Sequence, residues 1–363
     1  APWSDETVLG VVKSYALPVL QSRGEELALL VDDTGTVKRG KHSVGVGRQY
    51  CGNVGKQENC QVAVTLSLAN ASGSLPLSHR LYLPKDWAED AERRETAGVP
   101  KEIQFQKKPE IALEQIRSAL EVGVPRGPVL ADAGYGNNTD FRNTVTEEFK
   151  LPYVVGIESS TTVWPEGQGP LRPEARANGR GRPATRLRRD ETHKPVSVKK
   201  LALGLFPSKY RKVTWREGSA GKMKSRFAAV RVRPAHDDEK LSEPRPKEWL
   251  LIEWPPDEAE PTKYWLSTLP ATTSLKKLVD RAKLRWRIER DYQELKGELG
   301  LDHYEGRGWR GFHHHASLCI AAYAFLMVER LSFSPSGPSP SQFQLQAPTV
   351  PEGFRRRGSP DPS

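Results

Sequence analysis

The feature that most limits the possible folds of this sequence is a series of short apolar runs of strand length, separated by segments with helical periodicity. Residues 27–31 and 128–131 are apolar runs of strand length, and each is followed directly by aspartate. Residues 61–69 (QVAVTLSLA) alternate like a second strand, and residues 153–157 (YVVGI) form another apolar run. Residues 110–122 repeat apolar side chains at helical intervals instead. This order of strands and helices predicts an α/β chain in which helices pack on a sheet.

The net charge and the cysteine content indicate which binding partners and which cellular compartment to expect. The formal net charge of +10 and the pI of about 9.4 favour an anionic partner, nucleic acid first. Three cysteines are too few for a disulfide scaffold and suit a reducing, cytoplasmic compartment. No apolar run approaches the length of a membrane span, and no signal peptide precedes the first predicted strand. We therefore expect a cytoplasmic protein with no membrane partner.

The composition changes along the chain and suggests its division into segments. Residues 1–157 form the first part of the main domain, and we expect residues 158–272 to be a β-rich insertion subdomain. The insertion includes an arginine-dense stretch and then runs typical of strands. Residues 273–331 contain the predicted C-terminal helices that complete the main domain. Residues 332–363 are rich in Pro and Ser, which predicts a disordered tail.

A long helix is predicted from Ser274 to about Leu299, and it carries an acid beside its apolar face. One stripe of this helix is apolar: Leu284, Ile288, Leu295 and Leu299. A neighbouring stripe, about 90° round the helix by the 3.6-residue repeat, is polar: Arg285, Glu289, Tyr292 and Lys296. Glu289 is therefore expected on a rigid element near the core boundary, with a cation one turn before it and another two turns after it.

Acids at strand ends, together with this glutamate, indicate a metal-dependent chemistry. An aspartate after a strand is more often a turn former or a helix cap than a ligand, and an i−4 Arg–Glu pair is usually a surface ion pair. The conjunction is more specific, because a few convergent carboxylates suffice to bind Mg²⁺. Two such ions can activate the attacking oxygen and stabilise the leaving one in phosphoryl transfer.

Three blocks of the sequence resemble the DDE transposases of bacterial insertion sequences, in the branch with a Y-R-E-K signature. The blocks are VDDTGTVKRGKHSVGVGRQYCGNVGKQENCQVAV (31–64), LADAGYGNN (130–138) and RWRIERDYQELKGELGLDHYEGRGWRGFHHH (285–315). Their order matches that family. The resemblance implies a ribonuclease-H-like mixed sheet flanked by helices, with a β-rich insertion before the last catalytic helix.

The resemblance also implies site residues, cofactors and partners. Asp33, Asp132 and Glu289 match the three catalytic, metal-binding acids, with two Mg²⁺ or Mn²⁺ ions as cofactors. Arg285 and Lys296 match the signature residues that contact DNA near the transposon end. The implied partner is double-stranded DNA, at transposon ends and target, bound by a dimer in the bacterial nucleoid. Periodicity does not decide between Asp32 and Asp33 as the first ligand.

One position departs from the signature. Its tyrosine falls at residue 282, which is alanine in this chain. This puts in doubt a phosphate contact that a tyrosine would make there, but not the metal site.

Other basic residues are candidates for DNA contact. Glycines lie among Lys38, Lys41, Arg48 and Lys56, and a glycine-rich main chain can approach a DNA backbone closely. A solvated loop is an equally good interpretation. Arg180 and Arg182 lie in a GRGRP segment, which indicates a phosphate-contacting loop more than base readout.

Two rival functions remain at this point. The first is a simpler nuclease of the same fold that cuts DNA without strand transfer. The second is a degenerate or domesticated DNA-binding protein without catalytic activity, which Ala282 favours. The sequence favours the transposase, which would hydrolyse DNA at insertion-sequence ends and transfer the exposed strand.

Overall fold

Twelve strands form one mixed sheet in the computed structural model, which describes residues 3–24, 26–173, 185–218 and 221–333. Arg180, Arg182 and the tail from residue 334 lie outside the described residues. The strands are β1 (Ala28–Val37), β2 (Gly47–Cys51), β3 (Lys56–Ala69), β4 (Ser74–Leu81), β5 (Val129–Ala131), β6 (Tyr153–Ile157), β7 (Thr162–Trp164), β8 (Val196–Ser197), β9 (Arg211–Gly218), β10 (Gly221–Pro234), β11 (Glu248–Trp254) and β12 (Lys263–Ser267).

Helices pack on both faces of this sheet. They are α1 (Asp5–Gln21), α2 (Lys85–Ala88), α3 (Ala91–Thr96), α4 (Lys108–Glu121), α5 (Ala133–Gly136), α6 (Thr139–Asn143), α7 (Val198–Leu203), α8 (Leu275–Leu284), α9 (Trp286–Gly297) and α10 (Trp309–Ser332). No helix in the described ranges is long and apolar enough to cross a bilayer.

The strand order confirms the predicted fold class. Strand β1 is antiparallel to β3, and β3 is antiparallel to β4. On its other side β1 is parallel to β5, and β5 is parallel to β6. Three antiparallel strands followed by two parallel ones, in the order β4-β3-β1-β5-β6, are the ribonuclease-H-like arrangement. The chain is therefore a mixed α/β protein with an RNase-H-like sheet.

Strand β1 is longer than the apolar run that predicts it. It continues through Asp32 and Asp33 to Val37, because β3 pairs with it along its whole length, from Ala28↔Ala69 to Val37↔Cys60. The acid pair therefore lies inside the strand and not at its end. Strand β5 pairs with β1 only at Leu29 and Leu30, so the β5 side of the acid pair is open.

The two faces of the sheet are buried against different helices. On one face, alternate residues such as Leu29 and Val31 pack in a core with α1, α4 and α10. On the other face, Ala28, Leu30 and Leu130 pack against α8 and α9. Because side chains alternate along a strand, Asp32 shares the second face with Leu30, and Asp33 shares the first with Val31.

The region 158–272 extends the same sheet. Strand β12 pairs antiparallel with β6 from Tyr264↔Ile157 to Ser267↔Val154. Strands β11, β10, β7 and β8 follow in that order, and β9 pairs with β10. The region is β-rich and adds strands beyond β6. The division of the chain into the segments given above stays a prediction.

The long helix that the sequence predicts is divided into two. Ser274 caps α8 as expected, because its hydroxyl accepts a hydrogen bond from the Lys277 N–H at 3.2 Å. Between α8 and α9, Arg285 has ψ −22°, and its carbonyl accepts from the Ile288 N–H at 3.1 Å. This three-residue bond tightens the turn locally, as in a 3₁₀ helix. The tightening occurs one turn before Glu289.

A close approach of α5 to β6 generates the first testable prediction. A Cβ added to Gly136 would lie 1.9 Å from the Gly156 carbonyl oxygen, which no side chain can occupy. We expect Gly136→Ala to lower the free energy of unfolding by about 1–3 kcal/mol, as overpacking does. Urea denaturation followed by circular dichroism measures this.

Gly10→Ala is the matched control. Gly10 lies inside α1, and no atom lies within 4 Å of its ideal Cβ. Alanine there should raise stability by about 0.5–1 kcal/mol, since glycine is a poor helix former. Equal stability of Gly136→Ala and the parent protein would show that α5 is not tightly seated on β6.

Candidate active site

Five carboxylates line one open cleft, which we call the acid cleft, and one of them, Asp302, follows α9 in the chain. Asp32 and Asp33 reach it from β1, Asp132 from the end of β5, and Glu289 from α9. The cleft has a volume of about 1080 Å³. It opens beside β1, where β5 no longer pairs with that strand. Acids far apart in the sequence thus line the same cleft.

Asp132 is positioned by strand register and by a helix cap. Leu30 pairs with Leu130 in the parallel β1–β5 ladder, so Asp32 and Asp132 each follow two residues later on the same face. Asp132 is also the N-cap of α5, and its Oδ1 accepts a hydrogen bond from the Gly134 N–H at 2.9 Å. The short β5 and the tight turn at Gly134 therefore hold this carboxylate beside Asp32.

Arg285 links two of the acids. Its Nη1 donates to Asp32 Oδ2 at 2.7 Å, and its Nη2 donates to Glu289 Oε1 at 3.0 Å. Burial alone would lower the pKa of Arg285, but Asp32, Asp132 and Glu289 outweigh it and raise that pKa. The guanidinium therefore acts as an internal counter-ion between β1 and α9.

Asp33 is held on the other side of β1. Its Oδ2 pairs with the ammonium of Lys108, at the start of α4. The structure therefore separates the adjacent aspartates: Asp32 faces Arg285 and α9, and Asp33 faces α4. The acid chosen from the sequence motif, Asp33, lines the same cleft, but Asp32 is the one in register with Asp132 and linked to Glu289.

Burial dominates the electrostatics of Asp32. Burial, together with the neighbouring Asp132 and Asp33 carboxylates, raises the pKa of Asp32 to about 7 against the opposing effect of Arg285. Like charges packed this closely disfavour full ionisation unless a cation joins them. The charged form of Asp32 is thus disfavoured by burial and by the other acids, and it is favoured by Arg285.

The donor set fits a hard divalent cation. The lining offers several carboxylate oxygens, which Mg²⁺ and Mn²⁺ prefer. Tyr135 also lines the cleft, and its buried hydroxyl has no hydrogen-bond partner among the described residues. Within the same ranges, no three His, Cys, Asp or Glu side chains are yet close enough to hold one ion. Arg285 and Lys108 instead neutralise Asp32 and Asp33 in this conformation.

Besides Arg285, which lines the cleft, the basic residues predicted from the sequence fall into four groups. Lys296 lines the acid cleft and donates to the Gly35 carbonyl oxygen at 2.7 Å. Lys38 is buried, and its ammonium donates to the Tyr304 carbonyl, so it is not presented to solvent here. The remaining described ones are exposed and outside the cleft lining: Lys41, Arg48 and Lys56. Arg180 and Arg182 lie outside the described residues.

The missing signature tyrosine has a structural counterpart. Ala282 is buried in the core between α8 and the sheet, so its side chain does not reach the cleft lining. Tyr292, three residues after Glu289, lines the cleft, and its hydroxyl bonds the Thr65 hydroxyl. Thr65 in turn donates to the Asp32 carbonyl oxygen at 3.3 Å. A phenol therefore lies near Asp32, but it comes from a different position on the helix.

Sequence reasoning missed three further cleft residues. Lys107 and Lys108 precede Pro109 at the start of α4, and a lysine pair directly before a helix-starting proline was the available signal. Tyr135 lies inside the LADAGYGNN block but had no role assigned. Only the fold brings α4 against β1, so their place in the cleft was not visible in the sequence.

Comparison with known proteins gives three findings. A family described as DDE superfamily endonuclease matches residues 1–222, which include Asp32, Asp33 and Asp132. A probable transposase for insertion sequence element IS701 from Microchaete diplosiphon is 32% identical over 160 residues, or 44% of this chain. The chain spans only 39% of that relative's length. The crystal structure of the NurA nuclease from Sulfolobus solfataricus is 10% identical with a TM-score of 0.30, covering 89% of this chain and 91% of that one.

Crowding of the carboxylates predicts a gain of stability when one is removed. Asp132→Asn keeps an acceptor for the Gly134 N–H and removes one negative charge from the cleft. We expect the unfolding temperature of the metal-free protein to rise by about 2 °C, measured by calorimetry in a chelating buffer.

Asp140→Asn is the control for this experiment. Asp140 is exposed in the first turn of α6 and does not line the cleft, so its charge favours the helix N-terminus. Its replacement should leave the unfolding temperature unchanged or slightly lower. A loss of stability in Asp132→Asn larger than in this control would contradict the repulsion described above.

Proposed function

Because this chain belongs to the DDE superfamily endonucleases, we propose that it is a DNA transposase that acts at the ends of an insertion sequence. One observation carries the proposal: carboxylates from β1, β5 and α9 converge in an open cleft with cationic side chains among them. The similarity to a probable insertion-sequence transposase supports the same reaction class. The reaction we propose is hydrolysis of a phosphodiester at each end, followed by attack of the freed 3′-hydroxyl on another strand.

Asp32, Asp132 and Glu289 are the residues that we propose to hold two Mg²⁺ or Mn²⁺ ions. Such ions, when bound, supply Lewis acidity to the phosphodiester and a lowered pKa to the attacking water or hydroxyl. Arg285 then has a second task. Once the charge of Asp32 and Glu289 is neutralised otherwise, its guanidinium is released to contact a DNA phosphate, which it can do in bidentate fashion.

Asp32 is our choice for the first acid, in place of the Asp33 that the motif suggests. Asp32 lies in register with Asp132, and Arg285 connects it to Glu289. Asp33 points towards α4 and its ion pair with Lys108 supports that side of the cleft. Asp33 therefore acts by holding Lys108, and with it the start of α4, next to the DNA.

DNA is proposed to cross the mouth of the acid cleft. Cationic side chains in its lining come from three elements, Lys107 and Lys108 from α4, Arg285 from the α8–α9 turn and Lys296 from α9. Exposed Tyr50, on β2, lies at the same rim and offers an aromatic surface to a base or sugar. Phosphate contacts of this kind fix the position of the duplex without reading its sequence.

Glu289→Gln tests the acid on α9. We expect Mn²⁺-dependent cleavage of a duplex carrying the insertion-sequence end to fall to below about one hundredth of the wild-type rate, because loss of even an indirect metal contact commonly costs 10–100-fold. The assay follows a labelled strand on a denaturing gel, and joined products on the same gel report strand transfer.

Glu298→Gln is the matched control, an exposed glutamate at the end of the same helix and outside the cleft lining. It should cut at the wild-type rate. Undiminished cutting by Glu289→Gln would remove α9 from the mechanism. Cutting without joined products would leave a nuclease and exclude strand transfer.

The choice between the adjacent aspartates has its own test. Asp32→Asn is expected to abolish cleavage as fully as Glu289→Gln, and Asp33→Asn to retain at least about one tenth of the rate, the milder end of an indirect effect. Both variants are assayed on the same labelled duplex with Mn²⁺. The reverse order of severity would make Asp33 the metal-binding acid.

A further inference from the structure

Tyr135 lines the acid cleft, and its buried hydroxyl has no hydrogen-bond partner among the described residues. Its side chain is 2% exposed and belongs to the core beneath α4, with its ring tilted against Phe141. The hydroxyl is shielded from bulk solvent and makes no hydrogen bond to any described residue. Leaving a buried polar group in this state is unfavourable, so such a group in a native structure calls for an explanation.

The surroundings of this hydroxyl are carboxylates. Burial and then the charges of Asp33, Asp32 and Asp132 raise the pKa of Tyr135 well above its ordinary value. Two of those acids are already engaged, Asp32 by Arg285 and Asp33 by Lys108. The phenol O–H is therefore an unpaired donor near ion-paired carboxylates, on an element that Gly136 and Gly156 allow to sit against β6.

We propose that Tyr135 is a positioning residue whose hydroxyl donates a hydrogen bond to an oxygen atom that enters the acid cleft together with a divalent cation. That oxygen belongs to water when the cation enters alone, or to a phosphodiester when DNA is present. The proposal rests on the proposed function, since it takes the acid cleft as the place where the cation binds. Phenylalanine at position 135 would keep the core packing and remove only the donor.

The energetic signature of this role differs from that of a structural hydrogen bond. If the hydroxyl has no partner before the cation binds, its removal costs the metal-free protein nothing and can stabilise it. If the hydroxyl holds an entering oxygen, its removal weakens cation binding by about tenfold, the usual size of an outer-shell effect on metal affinity. A merely structural tyrosine would show the opposite pattern.

Tyr153→Phe provides the matched control. Tyr153 is equally buried, at 2% exposure, but its hydroxyl donates to Glu248 Oε2 at 2.6 Å and lies outside the cleft lining. Removing that hydroxyl leaves a buried carboxylate with one donor fewer. We expect Tyr153→Phe to lower the urea midpoint of the metal-free protein and to leave Mn²⁺ binding unchanged.

The experiment compares wild type, Tyr135→Phe and Tyr153→Phe as full chains. Isothermal titration with Mn²⁺ is done alone and in the presence of a short DNA duplex, and urea denaturation is done in a chelating buffer. For Tyr135→Phe we expect an unchanged or higher urea midpoint and an Mn²⁺ Kd raised about tenfold. A defect with Mn²⁺ alone identifies water as the acceptor, and a defect only with DNA identifies a phosphodiester oxygen.

Two results would overturn the role of Tyr135. One is an Mn²⁺ Kd that matches wild type in both arms. The other is a loss of metal-free stability as large as that of Tyr153→Phe, which would show that the hydroxyl already has a structural partner. A different result would show that the acid cleft does not bind the cation at all. In that case Mn²⁺ binding by the wild type would be absent, or would be unaffected by Asp132→Asn, and both proposals would be wrong.

Discussion

Repulsion among carboxylates is the constraint on which the rest of this structure depends. Asp32 and Asp132 lie side by side in the register of two neighbouring parallel strands, and Asp33 and Glu289 line the same cleft. Their mutual repulsion is reduced in two ways, by Arg285 on the α9 side and by Lys108 on the α4 side. Each cation also ties a helix to β1. The electrostatic compensation of the acids thereby fixes where α4 and α9 sit relative to the central strand.

The sheet supplies the rigidity that such a site requires. Strand β1 is paired with β3 along its full length, so the backbone of Asp32 and Asp33 has few alternative conformations. On the other side, α5 sits directly on β6 because Gly136 and Gly156 have no side chains to separate them. Asp132 is therefore fixed by both strand pairing and helix contact. A site that must exclude alternative geometries is well placed on elements of this kind.

The turn at Arg285 connects the fold with the chemistry. The tightened turn between α8 and α9 lies where the arginine leaves the helix surface to reach Asp32. Glu289 lies one turn later, and its side chain is 60% exposed to solvent. The acid on the helix is thus the least constrained of the set, whereas Asp32 is the most buried.

Much of the architecture was readable from residue patterns. The apolar runs at 128–131 and 153–157, the cap at Ser274 and the position of Glu289 beside an apolar stripe all depend on local periodicity, which is a property of the sequence. The bounds of β1 could not be read from these patterns. Its acidic half is held in the strand by pairing with β3, and the paired residues are remote in sequence. The break at Arg285 was not predicted either, since the apolar stripe continues from Leu284 to Ile288 across it.

The sequence by itself determined the residue types of the site, the elements that carry them and the resemblance to a family of DNA-processing enzymes. Only the tertiary structure decided which of two adjacent aspartates faces Asp132, that Lys108 and Tyr135 join the cleft, and that Lys38 does not. The reason is physical. Which element carries a side chain follows from short-range periodicity, whereas which side chains meet follows from strand register and helix packing between segments up to about 250 residues apart, as for Asp32 and Arg285.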